Sequence, residues 1–305
     1  MNHGVTFRQL QVFVAVTREG TVMAAARYLR LSQSATSQAL ADLERQLGVA
    51  LFERPGRKLR LNAMGRHLLP RAERLLDDMA DLVAAAEEPE GQLRGTLNVS
   101  ASATVGTYLL PPLAGRFSDA HPGVDLRLGL RNTGEVISDL LRFDADLGLI
   151  EGLCHEPRLQ SETWCEDRLV VIAAPGHPLA QHRVDDTRQP LSDAELADAE
   201  WILRENGSGT REIFEAAVLS HVTRLSVRME LSQHEAIKQA VMAGFGLGCL
   251  SQLSVAGELE RGELVALNHR LALSRTFSLV WHPERYRSPL WQAFKVFLAE
   301  QRDAL

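Results

Sequence analysis

Cysteine is scarce and long apolar runs are missing. The three cysteines, Cys154, Cys165 and Cys249, are an odd number without CxxC spacing, which excludes a disulfide framework or a thiolate zinc site and leaves reduced thiols acting as small core residues. No window reaches the roughly 18 uninterrupted apolar residues of a membrane span. Arg8, Gln9, Gln11 and Arg18 interrupt the apolar positions near the start, so that stretch does not read as a secretion signal, and a soluble, cytoplasmic protein with no membrane partner is expected. Nucleotide chemistry lacks its signature as well. Gly207-Ser208-Gly209-Thr210 has no Gly-Lys-Ser/Thr ending, and Gly244-Phe245-Gly246-Leu247-Gly248 precedes a strand instead of a helix. His177, His182 and His234 show no metal-ligand spacing. Cys154 and His155 are neighbours on an extended segment and point apart, which does not suit a nucleophile and its base. No catalytic residue, metal or cofactor is expected, although an enzyme is the main rival class. A free-standing solute-binding protein would fit residues 91–305 but leaves the rest of the chain unexplained.

That remainder is distinguished by charge. The net charge of the 305 residues is −6, yet residues 1–64 hold nine Lys/Arg against four acids, a net of +5, so the other 241 residues carry −11. A basic head on an acidic body suits a molecule of which only one end meets phosphates. Within the head, Phe7, Leu10, Phe13, Val14 and Val16 recur at three- and four-residue steps, giving an amphipathic helix that Gly20 stops. Thr21 caps a second helix whose Ala24-Ala25-Ala26 run permits close helix approach. Ser32 caps a third, in which Leu40, Leu43 and Leu47 form a buried stripe before Gly48.

The first turns of that third helix carry Gln33, Ser34, Ser37 and Gln38. Short polar side chains there can reach base edges and phosphates when a helix enters the major groove by its N-terminal end; the plain alternative is a solvated helix face. The order of elements favours a helix-turn-helix over residues 22–41. A basic segment with a Pro-Gly turn follows, and Arg54, Arg57 and Lys58 would meet the sugar-phosphate backbone as a wing.

The head resembles the LysR-type transcriptional regulators through Phe7-Arg8-Gln9-Leu10, Ala24-Ala25-Ala26, Ser32-Gln33-Ser34-Ala35-Thr36-Ser37, Leu43-Glu44, Leu47-Gly48 and Leu51-Phe52-Glu53-Arg54. Asn62-Ala63-Met64-Gly65 departs from the more usual Thr-x-Ala-Gly, with Asn an equally competent helix cap. The resemblance implies double-stranded DNA, RNA polymerase and a small-molecule effector as partners, and activity as a homodimer and homotetramer. Residues 1–65 would then be an all-α winged helix-turn-helix, residues 66–90 a long linker helix and hinge, and residues 91–305 the effector domain.

In the linker, Leu68, Ala72, Leu75, Met79, Leu82 and Ala86 make a heptad seam widened by Leu69, Leu76 and Val83. Pro70 is taken to lie in the first turns, and Pro89-Glu90-Gly91 to end the helix. The seam could pair with another chain or pack on its own domain. A pair would present two recognition helices to half-sites one helical turn, or a multiple, apart.

From Gly95 onward strands and helices alternate, which is α/β architecture. Strands are expected over residues 96–100, 124–130, 146–150, 169–173, 201–203, 225–231, 246–250 and 277–281, and helices over 105–120, 134–143 and 289–299 among others. The resemblance implies a two-lobed domain similar to type 2 periplasmic binding proteins, with lobe I near residues 91–165 and 268–305 and lobe II near 166–267. The segments Leu149-Ile150-Glu151-Gly152-Leu153-Cys154-His155 and Arg204-Glu205-Asn206-Gly207-Ser208-Gly209-Thr210-Arg211 are most similar to regulators of sulfur assimilation, sulfite response and carbon fixation.

Two hydroxyl-rich loops open helices, Ser100-Ala101-Ser102-Ala103-Thr104 and the Asn206–Arg211 stretch, and each offers free backbone N–H groups to an anion. The candidate effector contacts are Ser100, Ser102, Thr104, Arg204, Asn206, Ser208, Thr210 and Arg211, and the expected effector is an oxyanion or carboxylate. Plain helix caps on strand-to-helix turns are the alternative.

Overall fold

Thr6 opens the chain's first helix by a reciprocal cap: its hydroxyl accepts the Gln9 N–H, and the Gln9 side chain accepts the Thr6 N–H. This computed structural model describes residues 4–53, 59–87, 93–181 and 189–302. The chain divides into two units, Met1–Thr96 and Leu97–Leu305.

In the first unit, α1 (Phe7–Glu19) ends at Gly20, and α2 (Val22–Tyr28) starts from the Thr21 hydroxyl. Arg30 takes a positive φ of 55°, after which the Ser32 hydroxyl accepts the Ala35 N–H and opens α3 (Gln33–Leu47). Val12, Phe13, Val16, Ala25, Leu40, Leu43 and Leu51 are buried together. Strand β1 (Phe52–Glu53) pairs antiparallel with β2 (Arg60–Leu61). Glu44, on the far end of α3, accepts the Leu51 and Phe52 N–H groups at 2.7 and 3.3 Å and so pins the strand to the helix. The expected wing cations Arg54, Arg57 and Lys58 lie outside the described residues, as do the hinge at residues 89–91 and His182.

Helix α4 (Ala63–Glu87) begins as the sequence suggests, with Asn62 Oδ1 accepting the Gly65 N–H at 2.8 Å. Asn62 also donates from its amide to the Ala50 carbonyl, which ties the helix start to the chain before β1. Pro70 stands inside the helix instead of in its opening turns. It removes one donor from the backbone ladder, but the helix runs on to Glu87 because its neighbours pack. The expected seam is divided. Leu68, Leu69, Ala72 and Leu76 pack on the core of this unit, whereas Leu75, Leu82 and Val83 are exposed. The side chain of Ala86 is outside the described set. Arg18 bridges α1 to Glu73 of α4 at 2.8 Å.

The second unit runs β3 (Gly95–Ser102), a π-turn at Val105–Leu109, α5 (Leu110–Ala120), β4 (Val124–Arg131), α6 (Thr133–Leu141), β5 (Leu147–Glu151), β6 (Gln160–Ala173), α7 (Pro178–Gln181) and α8 (Asp193–Asp198). It continues with β7 (Glu200–Arg204), α9 (Gly209–Val218), β8 (Ser226–Leu231), α10 (His234–Met242), β9 (Leu247–Ser251), α11 (Gln252–Arg261), β10 (Val265–Leu267), β11 (Ser274–Trp281) and α12 (Pro289–Glu300). The strand order is β4-β3-β5-β11-β6-β9-β7-β8, with β10 also on β6. Strand β6 belongs to both halves of this sheet: Gln160 to Arg168 pair with β11, and Leu169 to Ile172 pair with β9.

Two differences from the sequence expectation concern this crossing, and a third lies after β3. Only residues 169–173 of β6 are anticipated, because the preceding stretch is studded with Ser161, Glu162, Glu166 and Arg168 and lacks an apolar run. Strand β11 begins at Ser274, three residues before the expected start, and so includes Arg275. The helix after β3 opens as a π-turn, a wide turn often found beside functional sites.

Gly65 is required by close approach: a Cβ there would lie 2.2 Å from the Leu51 carbonyl oxygen. Gly65→Ala should destabilise the first unit by about 1–3 kcal/mol through overpacking, read as a lower urea midpoint by far-UV circular dichroism. An unchanged midpoint would show that the α4 start yields freely.

Candidate effector site and nucleic-acid interface

The four polar residues expected on the recognition helix form one exposed set. Gln33, Ser34, Ser37 and Gln38 are all exposed at the start of α3, while Thr36 between them is buried, its hydroxyl donating to the Ser32 carbonyl. Gln38 donates to Asp42 at 2.9 Å, and Ser34 lies 3.1 Å from Ser32. Arg8, Arg27, Arg30, Arg45 and Arg60 are exposed on the same unit. The helix is thus anchored by Thr36, Leu40 and Leu43 and turns four short polar side chains outward.

In the second unit the hydroxyl loops gather around a residue that sequence reasoning missed, Arg275 of β11, whose side chain is fully buried. Its guanidinium donates to Glu151 at 2.8 Å, to Asp167 at 2.7 Å, to the Thr210 hydroxyl at 2.9 Å and to the Thr104 hydroxyl at 3.2 Å. Glu151, at the end of β5, also accepts the Thr104 N–H and the Thr210 hydroxyl at 2.8 and 2.7 Å. Burial alone would raise the Glu151 pKa, but the Arg275 charge and these two donors outweigh it and hold the carboxyl well below the usual range. Asp167 receives a further bond from Ser251 at 2.8 Å. Gly209 lets α9 start against this cluster, since a Cβ there would fall 2.3 Å from the Glu151 carbonyl oxygen.

Ser102 and Ser208 each lie two residues before one of these threonines. Both are buried, at 1% and 2% exposure, and their hydroxyls have no hydrogen-bond partner among the described residues. His269 Nδ1 is the other buried atom in that condition. An unmade bond of this kind costs about 1–3 kcal/mol, which sets these two hydroxyls apart from their saturated surroundings.

The remaining expected contacts are distributed differently. Ser100 does not join the cluster: its hydroxyl donates to Asp139 of α6 at 2.9 Å, beside a separate cavity of about 360 Å³ that Arg127, Arg131 and Arg142 also line. Arg204 is buried and holds both oxygens of Glu205, at 2.8 and 2.9 Å, and the His234 ring nitrogen Nε2 at 2.9 Å. Arg211 turns to Glu215 and Glu230, and Asn206 is exposed. The expected cationic donors Arg204 and Arg211 are therefore already neutralised by carboxylates of their own half. An open cavity of about 800 Å³ shares Asp167 and Arg275 with the network but is otherwise lined by Leu153, Ile213 and neighbours, without either serine.

The thiols stand apart from this chemistry. All three cysteines are free; burial pushes Cys154 up, Cys165 up to about 11, and Cys249 higher still, so none favours the thiolate. Among the described residues no His/Cys/Asp/Glu group could hold a metal, and no helix is long and apolar enough to cross a membrane.

An exposed polar helix on a three-helix head, joined in one chain to an α/β unit, is the layout of a DNA-binding regulator with an effector domain. Residues 7–66 match the bacterial regulatory helix-turn-helix proteins of the lysR family, and residues 90–303 match the LysR substrate binding domain. The chain belongs to the LysR family of transcriptional regulators, which are not enzymes. It is 41% identical over 294 residues to the uncharacterized HTH-type transcriptional regulator YeiE of Escherichia coli K12, covering 96% of each chain. It is 33% identical to the RuBisCO operon transcriptional regulator of Allochromatium vinosum, covering 97% of this chain and 96% of that one. Among solved structures it is similar to the regulatory domain of Synechocystis PCC6803 CcmR in complex with 2-PG, with a TM-score of 0.62 and 28% identity, over 69% of this chain and 98% of that one.

Burial first, and then the Arg204 charge, push the His234 imidazole down to about 4, against an opposing pull from Glu151. A histidine kept neutral in the fold but protonated when unfolded costs stability as pH falls: stability is complete above about 6.5 and declines toward about 4, by about 3 kcal/mol in full. Urea midpoints should drop between pH 7 and pH 4, and drop less in His234→Asn. Equal slopes would remove His234 from the acid response.

Proposed function

We propose that this regulator binds double-stranded DNA through the start of α3 and the basic segment after β1, and that its second unit senses a small oxyanion or carboxylate of sulfur or carbon metabolism. The observation that carries the effector reading is the pair of buried, unpartnered hydroxyls of Ser102 and Ser208, each at the entry to a helical segment that has no side-chain cap. Thr104 and Thr210 of the same two loops are fixed by Arg275, and Asn206 is exposed two residues before Ser208. The similarity to the RuBisCO operon regulator supports a link to carbon metabolism, and the 2-PG complex of the related domain supports a small-molecule effector in this part of the chain. Binding changes DNA affinity only if the effector prefers one arrangement of the unit over another.

The exposed Leu75, Leu82 and Val83 of α4 support pairing of two copies, which would present two α3 helices to an imperfect palindrome. Pairing of dimers into tetramers, contact with RNA polymerase and a cytoplasmic location complete the proposal.

The test of the effector site is a thermal-shift screen of sulfite, sulfate, phosphorylated sugars and small carboxylates. A ligand at about 100 times its Kd should add about 2.7 kcal/mol, a few degrees in Tm. Ser102→Ala with Ser208→Ala should lose that shift; an undiminished shift in the double variant would eliminate this pocket. For DNA, Gln33→Ala should relax base preference by about 1–3 kcal/mol at its position, whereas Arg54→Ala should weaken all sequences alike and lower the salt slope by about 1. Footprinting across a salt series separates the two, and an unaltered slope for Arg54→Ala would remove its phosphate role.

A further inference from the structure

The hydrogen bonds around His234 allow a single proton arrangement. Arginine nitrogens donate and never accept. Arg204 Nη1 lies 2.9 Å from His234 Nε2, so Nε2 is the acceptor, and a neutral imidazole then carries its hydrogen on Nδ1. Arg204 cannot turn away: it is 2% exposed, its other two nitrogens hold Glu205, and its carbonyl accepts from Arg211 at 3.1 Å. His234 itself is 5% exposed, and Nδ1 has no partner among the described residues. The ring faces Tyr108 of the π-turn at 6.1 Å, and it feels the charges of Arg204, Glu151, Arg275 and Glu205. Lys238, one turn along α10, is occupied by Glu235 and Glu258.

The acceptors in this cluster are taken up. Glu151 receives three donors, Asp167 receives Arg275 and Ser251, and Glu205 receives Arg204. The groups left over can all donate: the Ser102 and Ser208 hydroxyls and the Nδ1–H of His234. Resting on the effector-site reading above, we infer that His234 is a specificity-determining donor, its Nδ1–H held in place by the Glu205–Arg204 pair to meet an acceptor oxygen of the effector. A deprotonated oxyanion or carboxylate, which offers only acceptors, is the class of effector that these three donors would meet.

The test has one arm without ligand and one with it. In the full chain labelled with 15N-histidine, long-range nitrogen–proton spectra should show His234 with hydrogen on Nδ1 and a bare Nε2 from pH 8 to pH 5.5, and Arg204→Met should mix the tautomers. Hydrogen on Nε2 in the native chain, or a titration midpoint near the ordinary histidine value, overturns the assignment. In calorimetry with sulfite and with 2-PG, His234→Leu should weaken the bound probe ~10-fold or more, as loss of a hydrogen bond to a charged group does. His234→Asn, whose amide nitrogen branches from Cγ as Nδ1 does, should restore most of the affinity, and His234→Gln should not. Native affinity in His234→Leu, with the probe lost in the Ser102→Ala and Ser208→Ala double variant, overturns this assignment and leaves the pocket standing. Native affinity in both overturns the pocket and the assignment together.

Discussion

A guanidinium sealed from water joins the two halves of the effector unit's sheet. Arg275 meets Glu151 on one side and Asp167 on the other, and it reaches a threonine from each of the two hydroxyl-rich loops. Burying one cation and two carboxylates is costly, and the arrangement holds because nearly every donor and acceptor finds a mate at 2.7 to 3.2 Å. The neighbourhood is built to keep it so. Gly209 removes the side chain that would push α9 off β5, and Ser251 completes the shell of Asp167. Against this saturated background the two unbonded serine hydroxyls stand out, because the site satisfies its charges and leaves neutral donors open.

The head follows a different economy of parts. Its helices are short and held by local caps, and its net positive charge sits on exposed arginines that the acidic remainder does not match. Thr36 turns inward while its four polar neighbours turn outward, so one helix is both core element and reading surface. Glu44 secures the strand that leads into the basic segment.

Those local features are why the head could be read so fully from residues alone. Thr21, Ser32 and Gly48 act within four residues of themselves, and Asn62 caps α4 as its chemistry allows; the Thr6 cap, equally local, was not read. The effector site was legible only as two loops. Its centre is assembled from partners 124 and 108 residues from Arg275, one just past the expected end of β5 and the other in the polar part of β6. Ser100 was grouped with Ser102 by proximity, whereas its hydroxyl belongs to Asp139. The positive charges of Arg204 and Arg211 looked available in the sequence. Glu205 beside one and Glu215 four residues from the other were the visible signs that they were spoken for. His234 drew notice only for lacking metal spacing, since nothing local announces that an arginine thirty residues away fixes its proton.

Strand β6 runs without interruption through both halves of the sheet. A change in how the halves face each other must therefore twist a hydrogen-bonded strand instead of unfolding a loop. Such a rod deforms elastically over small angles and springs back. The consequence is that any rotation between the halves is limited by the torsional stiffness of this one strand.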